Sequence, residues 1–226
     1  MVKVGINGFG RIGRLILRAI LENYKNKIQV VAINDLGSIE TNAHLIKYDS
    51  THGIINEDIQ TSKDGFKIGN QEIKVFAEKD PANIPWGKVG ADVVLECTGI
   101  FLDKSSAEKH IKGGAKKVII SAPGKEVDFT IVQGVNSKEL KKEHNIISNG
   151  SCTTNCLAPV AMVLEKTFGI SYGYMTTIHS YTGDQKLLDT LHKDLRRARS
   201  TEGAMIPTST GAAKAMSLVL PSLKGK

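Results

Sequence analysis

Two kinds of hydrophobic period alternate along the first 150 residues of the chain. Short apolar runs, typical of strands buried on both faces, are separated by stretches with apolar residues at helical spacing. Because strands alternate with helices, the pattern predicts an α/β fold built on a mostly parallel, doubly wound sheet. The predicted strands are residues 2–6, 28–33, 91–96, 117–120, 129–132 and 145–148, and the predicted helices are 12–20, 41–47 and 105–111.

Three segments depart from this alternation. Residues 54–75 are typical of hairpins, with turn signals at 63–65 and 69–70. After the strand that ends at residue 148, apolar spacing predicts a helix at 157–168 and then a strand at 172–178.

The first predicted strand runs into a glycine-rich segment, NGFGRIGR, and a helix follows it. Gly8 allows a tight turn, Gly10 lets the backbone approach a pyrophosphate, and Gly13 lets the helix pack on its strand. The helix N-terminus then offers N–H donors and positive potential to the phosphates. The strand before this motif and the helix after it predict a dinucleotide-binding turn.

Asp35 follows the second predicted strand and lies 22 residues past Gly13. A carboxylate at this position accepts hydrogen bonds from the adenosine ribose hydroxyls and repels a 2′-phosphate, which favours NAD over NADP. The alternative is a turn residue or helix cap, since Asp-Leu-Gly is also a simple loop sequence. With the glycine motif upstream, we prefer the ribose role.

The segment SNGSCTTNC joins a predicted strand to a helix and puts Cys152 in the first turn, with Ser151 as the N-cap. The positive end of a helix dipole favours thiolate over thiol, so Cys152 is a candidate nucleophile. The alternative for a lone cysteine, a small buried hydrophobe, fits Cys156, one turn further among apolar residues. A nucleophile needs a base, and His179, at the end of a predicted strand, is the candidate.

Ligands bind α/β sheets outside the carboxyl ends of the strands. Small polar residues follow several predicted strands at that edge, namely Gly8, Asp35, Thr98, Ser121 and the turn before Cys152. We therefore predict one active site that joins a cofactor to a thiol. The alternative is that such residues close the strands of any α/β fold.

Composition narrows the class of protein. The 226 residues are 41% hydrophobic and 23% charged, which is ordinary for a globular protein, and no apolar run approaches a membrane span. Three cysteines form no disulfide framework, which indicates a reducing compartment, and we expect the cytoplasm. A net charge of +7 suits nucleic acid or anionic small substrates, but with aromatics at 5% we expect no nucleic acid partner. No metal site is predicted.

Longer matches point to a family. The segments KVGINGFGRIGR, NGSCTTNCLAP, HSYTGDQ and IPTSTGAAKA, with Asp35, closely resemble phosphorylating glyceraldehyde-3-phosphate dehydrogenases, and the similarity runs along the whole chain. The resemblance implies a Rossmann-type NAD-binding domain at 1–150 and the N-terminal part of an α+β catalytic domain at 151–226. It also implies that Cys152 is the nucleophile and that His179 activates it.

The same resemblance implies the residues of two binding sites. The NAD site would be lined by Gly8, Gly10, Arg11, Ile12, Gly13, Asp35, Lys79, Thr98 and Ser121. The substrate phosphate and the attacking inorganic phosphate would be held by Ser151, Thr153, Thr182, Arg197, Thr210 and Gly211. Because Arg197 lies in a basic cluster at 196–199, a solvated charge run is the alternative for that residue.

The implied activity is a step of glycolysis, and so of glucose metabolism. It is the NAD-dependent oxidative phosphorylation of glyceraldehyde 3-phosphate to 1,3-bisphosphoglycerate through a Cys152 thioester. The resemblance implies a homotetramer for the full-length protein. Two alternatives stay open: an erythrose-4-phosphate dehydrogenase, against which Thr182 and the Thr210-Gly211 pair argue, and an inactive NAD-binding fragment.

The chain departs from the family pattern at several positions. Gly150 replaces the usual alanine, which makes the turn more flexible, and Lys79 stands where relatives often have arginine. Leu191 stands where NAD-using relatives commonly have proline, so the cofactor preference rests mainly on Asp35. Family members also continue beyond the equivalent of Lys226, so we expect a fragment that exposes strand edges and apolar surface.

Overall fold

The computed structural model describes residues 1–226, and the chain divides into two compact units, Met1–Ser151 and Cys152–Lys226. The first unit contains all the strands, and the second contains two α-helices joined by irregular backbone. None of the helices combines the length and the apolar character that crossing a membrane requires.

The strands of the first unit are numbered in chain order. They are β1 (Val2–Asn7), β2 (Ile28–Asn34), β3 (Tyr48–Asp49), β4 (Gly53–Ile54), β5 (Ile59–Ser62), β6 (Gly65–Ile68), β7 (Gln71–Phe76), β8 (Val93–Glu96), β9 (Lys117–Ile120), β10 (Phe129–Thr130) and β11 (Ile146–Ser148).

Nine of these strands form one sheet in the order β10-β11-β9-β8-β1-β2-β7-β6-β5. The part from β10 to β7 is parallel, as the alternation of strands and helices predicts. Strands β5, β6 and β7 pair as antiparallel hairpins, which confirms the prediction for residues 54–75. Strands β3 and β4 form a separate antiparallel pair.

The helices, also in chain order, are α1 (Arg11–Ala19), α2 (Ile39–Lys47), α3 (Lys104–Lys112), α4 (Cys152–Phe168) and α5 (Ala212–Val219). A short π-helical segment, Ile20–Tyr24, continues α1. Side chains cap two of the helices: Ser38 accepts the Thr41 N–H at the start of α2, and Asp103 accepts the Ser106 N–H at the start of α3.

The core lies on both faces of the sheet. Neighbouring residues of a strand point to opposite faces, and the neighbours Ala32 and Ile33 of β2 belong to two different core clusters. The first cluster includes Leu17 of α1 and Ile46 of α2, and the second is centred on Trp86. Because both faces are covered, the parallel strands are apolar along most of their length.

The second unit buries much less. Helix α4 buries a narrow stripe of small residues, Thr154, Ala158 and Ala161, and α5 buries Ala212, Met216 and Val219. Residues 169–211 form no helix or strand. Their large apolar side chains are between 71% and 98% exposed at Tyr174, Ile178, Tyr181, Leu187, Leu188, Leu191, Leu195 and Met205.

Two sequence-based expectations fail in this unit. The strand predicted at 172–178 is wrong, because the second unit offers no other strand to pair with its N–H and C=O groups. The prediction that Cys156 is a small buried hydrophobe is also wrong, because its side chain is exposed. Cys156 follows Thr154 by two positions and so lies away from the buried stripe of α4.

Candidate functional site

In the glycine turn between β1 and α1, two of the three motif glycines lie where a side chain would clash, and the third faces open space. Gly8 has a φ of 87°, and a Cβ there would lie 2.7 Å from the Thr98 nitrogen. A Cβ on Gly13 would lie 2.3 Å from the Gly8 carbonyl oxygen, so the helix can pack this closely only without a side chain. A Cβ on Gly10 would meet nothing within 4 Å, which leaves open space beside the turn.

The start of α1 suits an anion. Gly10, at the N-cap position, supplies no side-chain cap, and the first turn contains no acidic residue. Its N–H donors and the positive helix end therefore fit a pyrophosphate. Arg11 pairs with Asp49, which sequence reasoning did not find, and Ile12 is 48% exposed.

Asp35 is tied to the glycine turn. One carboxylate oxygen accepts the Phe9 N–H at 2.8 Å and the other accepts the Gly37 N–H at 2.8 Å. The Asp35 N–H itself donates to the Phe76 carbonyl at the end of β7. The carboxylate thus lies beside the open turn, bonded to the residue that directly precedes Gly10.

The remaining NAD candidates also follow strand ends. The Ser121 N–H donates to the Glu96 carbonyl at 3.0 Å, and the Thr98 N–H donates to the Glu96 carboxylate at 2.8 Å. Lys79 is exposed, and the residue before it, Glu78, exchanges two hydrogen bonds with the Asn34 side chain.

One row of paired residues explains why these positions converge. The sheet register aligns Phe76, Asn34, Asn7, Glu96, Ile120 and Ser148 across six neighbouring strands. Gly8, Asp35 and Ser121 each follow directly on a member of this row. The chain order reverses between β1 and β8, the point at which doubly wound sheets open a ligand crevice. The structure therefore brings the NAD candidates of β1, β2, β8 and β9 to one edge.

The second unit contains a thiol–imidazole contact. Helix α4 begins at Cys152, and the Cys152 sulfur lies 3.0 Å from His179 Nε2. The other ring nitrogen of His179, Nδ1, lies 2.6 Å from the Ser180 carbonyl oxygen, which can only accept. Nδ1 therefore carries a proton, and Nε2 faces the sulfur. The structure thus joins the two residues that the sequence separates by 27 positions.

Opposing effects set the ionisation of this pair. Partial burial disfavours the thiolate, but the hydrogen bond and charge of His179, with the Thr153 N–H and hydroxyl, hold the pKa of Cys152 below its ordinary value. The hydrogen bond to the Ser180 carbonyl, then the contact with Cys152, raises the pKa of His179. Both shifts favour a thiolate–imidazolium pair.

The other two cysteines differ from Cys152. Cys97 is largely enclosed, and burial raises the pKa of its thiol to about 12. Cys156 is exposed but lies one helical turn beyond the positive end of α4. Of the three thiols, Cys152 alone is both accessible and paired with an imidazole.

Arg197, a candidate phosphate ligand, belongs to a hydrogen-bonded cluster. Its guanidinium pairs with Asp184 and donates to the Thr208 hydroxyl at 2.8 Å, and its side chain is 24% exposed. Asp184 also contacts His192 Nε2 at 3.2 Å. These contacts argue against a solvated charge run at Arg197. Asp184 and Thr208 were missed from the sequence, because nothing in their spacing pairs them with an arginine.

The other phosphate candidates lie at backbone turns. Thr210 and Gly211 precede α5, and the Thr210 hydroxyl accepts the Ala212 N–H at 3.2 Å. The Thr182 N–H donates to the Gln185 side chain at 2.6 Å. Ser151 directly precedes α4, and Thr153 hydrogen-bonds to the Cys152 sulfur. The structure thus groups Thr153 with the thiol, while Thr182, Arg197 and Thr210 have their own local partners.

The parallel sheet, the glycine turn at its reversal point and the uncapped helix define a dinucleotide-binding α/β protein. Comparison with protein families makes the assignment specific. Residues 2–104 match the family described as "Glyceraldehyde 3-phosphate dehydrogenase, NAD binding domain", and residues 151–226 match its "C-terminal domain". The chain belongs to the glyceraldehyde-3-phosphate dehydrogenase family.

Individual relatives agree with this assignment. The chain is 57% identical to glyceraldehyde-3-phosphate dehydrogenase 1 of Bacillus cereus over its whole length, and it spans 67% of that protein. It is similarly 57% identical to the enzymes of Xanthobacter flavus and Geobacillus stearothermophilus, again across 100% of the chain and 67% of each relative. As a member of this family, the chain is an NAD-dependent oxidoreductase of glycolysis.

Proposed function

We propose that this chain oxidises glyceraldehyde 3-phosphate and joins it to inorganic phosphate through a thioester on Cys152. The observation that carries the proposal is the 3.0 Å contact between the Cys152 sulfur and His179 Nε2 at the first residue of α4. Acyl transfer through a covalent intermediate needs a nucleophile and an adjacent base, and this contact supplies both.

In this proposal, residues 1–150 form the NAD-binding domain and residues 151–226 begin the catalytic domain. Gly10 and the start of α1 would hold the pyrophosphate, and Asp35 would accept the ribose hydroxyls, which favours NAD over NADP. The remaining NAD residues would be Gly8, Arg11, Ile12, Gly13, Lys79, Thr98 and Ser121. When bound, NAD supplies the hydride acceptor for the oxidation.

The protein's own residues carry the rest of the chemistry. The Cys152 thiolate attacks the aldehyde carbon and forms a hemithioacetal, and His179 takes the proton of its hydroxyl as the oxidation proceeds. The product of the oxidation is an acyl thioester on the Cys152 sulfur. Attack by inorganic phosphate breaks the carbon–sulfur bond, releases 1,3-bisphosphoglycerate and returns Cys152 as a thiolate.

The two phosphate groups need cationic and N–H donors. We propose that Arg197 supplies charge and that Ser151, Thr153, Thr182, Thr210 and Gly211 supply hydroxyl or backbone donors. Support comes from α5, whose first turn contains no acidic residue and follows directly on Gly211. In this structure Arg197 pairs with Asp184, so we expect an anion to compete with that carboxylate for the guanidinium.

We further propose that the protein acts in the cytoplasm and forms a homotetramer in the full-length state. The exposed thiols Cys152 and Cys156 suit a reducing compartment. The large exposed apolar side chains of residues 169–211 suit burial in an assembly.

The first test is to mix the chain with NAD, glyceraldehyde 3-phosphate and phosphate and to follow NADH absorbance. Turnover is expected to require phosphate and to be faster on glyceraldehyde 3-phosphate than on erythrose 4-phosphate. Faster turnover of erythrose 4-phosphate would overturn the proposed substrate.

A matched pair of variants tests the covalent route. Cys152→Ser is expected to lose nearly all turnover, because an alcohol beside His179 is a far weaker nucleophile than a thiolate. Cys156→Ser, the same change four residues later, is expected to keep it. Retention of most activity in Cys152→Ser would rule out the thioester. In parallel, iodoacetamide labelling followed by mass spectrometry shows whether Cys152 is alkylated faster than Cys97 and Cys156.

A further inference from the structure

Glu96, the last residue of β8, is a carboxylate buried to 1% exposure. One of its oxygens accepts the Asn7 side-chain N–H at 2.6 Å and the His110 Nε2 proton at 2.9 Å. The other oxygen accepts the Thr98 N–H at 2.8 Å and the Thr98 hydroxyl. A buried carboxylate is tolerated only with several such donors, and the proposed reaction uses none of these contacts.

The tautomer of His110 follows from its other neighbour. The Trp86 indole N–H lies 3.0 Å from His110 Nδ1, and an indole nitrogen can only donate. His110 Nδ1 must therefore accept, and the imidazole proton is on Nε2, which faces Glu96. The contact with Trp86 therefore fixes the hydrogen-bond direction at both ring nitrogens: Nδ1 accepts from the indole, and Nε2 donates to Glu96.

The same network extends across the sheet. The Asn7 side-chain oxygen Oδ1 accepts a side-chain N–H of Asn34 at 2.8 Å. Asn34 in turn donates to the Glu78 carbonyl at 2.9 Å and accepts the Glu78 N–H at 2.8 Å. These buried side chains therefore connect the ends of β1, β2 and β8 with the loop that follows β7.

Four members of this network adjoin residues of the proposed NAD site. Asn7 precedes Gly8, Asn34 precedes Asp35, Glu78 precedes Lys79, and Glu96 bonds directly to Thr98. We infer that Glu96, oriented by His110 and Trp86, is a positioning residue that holds the sheet edge in its NAD-binding geometry. This inference rests on the proposed function of the first unit as the NAD-binding domain.

A change of Glu96 to glutamine keeps the size of the side chain but leaves one accepting oxygen. If that oxygen faces Asn7 and His110, the new NH₂ group meets the Thr98 N–H. If the oxygen faces Thr98, the NH₂ group meets the N–H groups of Asn7 and His110. In either orientation, N–H groups face each other without an acceptor between them. When the oxygen faces Asn7 and His110, the Thr98 N–H loses its acceptor, and the turn at Thr98 is disturbed directly.

The test compares NAD affinity by calorimetry in wild type, Glu96→Gln and a matched control, Glu108→Gln. Glu108 is an exposed residue of α3, the helix that also carries His110. Glu96→Gln is expected to raise the Kd for NAD by about tenfold or more, and Glu108→Gln to leave it within about twofold. An unchanged Kd in folded Glu96→Gln would overturn the positioning role.

A second variant tests the tautomer. Trp86→Phe removes the indole donor, so His110 can move its proton to Nδ1 and accept at Nε2 from the NH₂ group that Glu96→Gln introduces. The double variant Trp86→Phe/Glu96→Gln is then expected to bind NAD more tightly than Glu96→Gln alone. Equal or weaker binding would contradict the proposed constraint by Trp86, and a purely structural role would predict only added losses.

Amide hydrogen exchange without NAD separates this inference from the proposed function. Glu96→Gln is expected to speed exchange at the Thr98 amide, while Glu108→Gln leaves it unchanged. Unchanged exchange would overturn the positioning role even if the wild type binds NAD. A wild-type chain that fails to bind NAD would overturn the proposed function, and faster exchange would then still show that Glu96 orders the turn.

Discussion

The two units of this chain bury their apolar residues to different degrees. In the first unit Ile6 and Ile33 are fully enclosed between the sheet and its helices, whereas Tyr174 and Leu191 of the second unit are 98% and 97% exposed. The first unit pairs its strands with one another, and the second pairs none. The first unit is therefore stabilised by long-range packing, while the thiol–imidazole pair is held by one helix start and by contacts with its immediate neighbours Thr153 and Ser180.

The largest expected effect tests this difference in packing. Ile6→Ala, at a fully buried position of β1, is expected to lower the free energy of unfolding by about 2–5 kcal/mol. Ile178→Ala, the same change at a side chain that is 95% exposed, is expected to shift it by about 0.5 kcal/mol or less. Urea titrations followed by circular dichroism measure both. Similar losses in the two variants would contradict the comparison.

A smaller effect is expected in the glycine turn, where one glycine is needed for packing and the other is not. Gly13→Ala would set a Cβ 2.3 Å from the Gly8 carbonyl oxygen and is expected to lower the free energy of unfolding by about 1–3 kcal/mol. Gly10→Ala meets no atom within 4 Å and is expected to leave stability within about 0.5 kcal/mol.

The Gly10→Ala variant also tests whether the pyrophosphate of NAD binds beside Gly10, as we propose. Although Gly10→Ala is expected to fold normally, it should weaken NAD binding by about tenfold or more, because its methyl group occupies the open space beside the turn. Calorimetric titration of the folded variant with NAD gives the result. Normal NAD affinity in Gly10→Ala would remove the pyrophosphate from this position.

The smallest of the three expected destabilisations concerns the turn that leads to α4. The buried Ser148 hydroxyl accepts the N–H groups of Gly124 and Gly150 at 2.9 and 3.0 Å and donates to the Ala122 carbonyl at 2.7 Å. Ser148→Ala leaves these groups without a partner and is expected to lower the free energy of unfolding by about 1–2 kcal/mol. The exposed Ser171→Ala serves as the control, and equal effects would show that the hydroxyl does not brace the turn.

The strands, helices and turns of the first unit could be predicted well from the sequence, because the signals for them come from neighbouring residues. Strand periods, the turn signals around Gly65 and Gly69 and the spacing of the glycine motif each depend on neighbouring residues. The row that aligns Asn7, Asn34 and Glu96 could be expected in outline, since the carboxyl ends of parallel strands share an edge. The hydrogen bonds among these residues could not, because they join positions up to 89 residues apart.

Prediction was weaker in the second unit, because its structure and its candidate site depend on contacts between residues that are distant in the sequence. Residues 172–178 have the apolar content of a strand, but a strand also needs a neighbour, and this unit offers none. The proximity of Cys152 and His179 could be proposed only from chemistry and resemblance, since no local rule links them. The ion pair of Arg197 with Asp184 left no signal in the sequence beyond opposite charges.

The most direct test of the claim that His179 activates Cys152 is the pH dependence of Cys152 alkylation by iodoacetamide, in wild type and in His179→Gln. Against the effect of partial burial, the pKa of Cys152 is lowered, chiefly by its hydrogen bond and charge contact with His179, so labelling is expected to stay fast to a lower pH than for an ordinary thiol and to slow only as pH falls through that lowered pKa. Loss of the imidazole in His179→Gln should move the decline to higher pH, toward the ordinary thiol pKa of about 8.5. If both proteins give the same profile, His179 does not activate Cys152, and the proposed mechanism is contradicted.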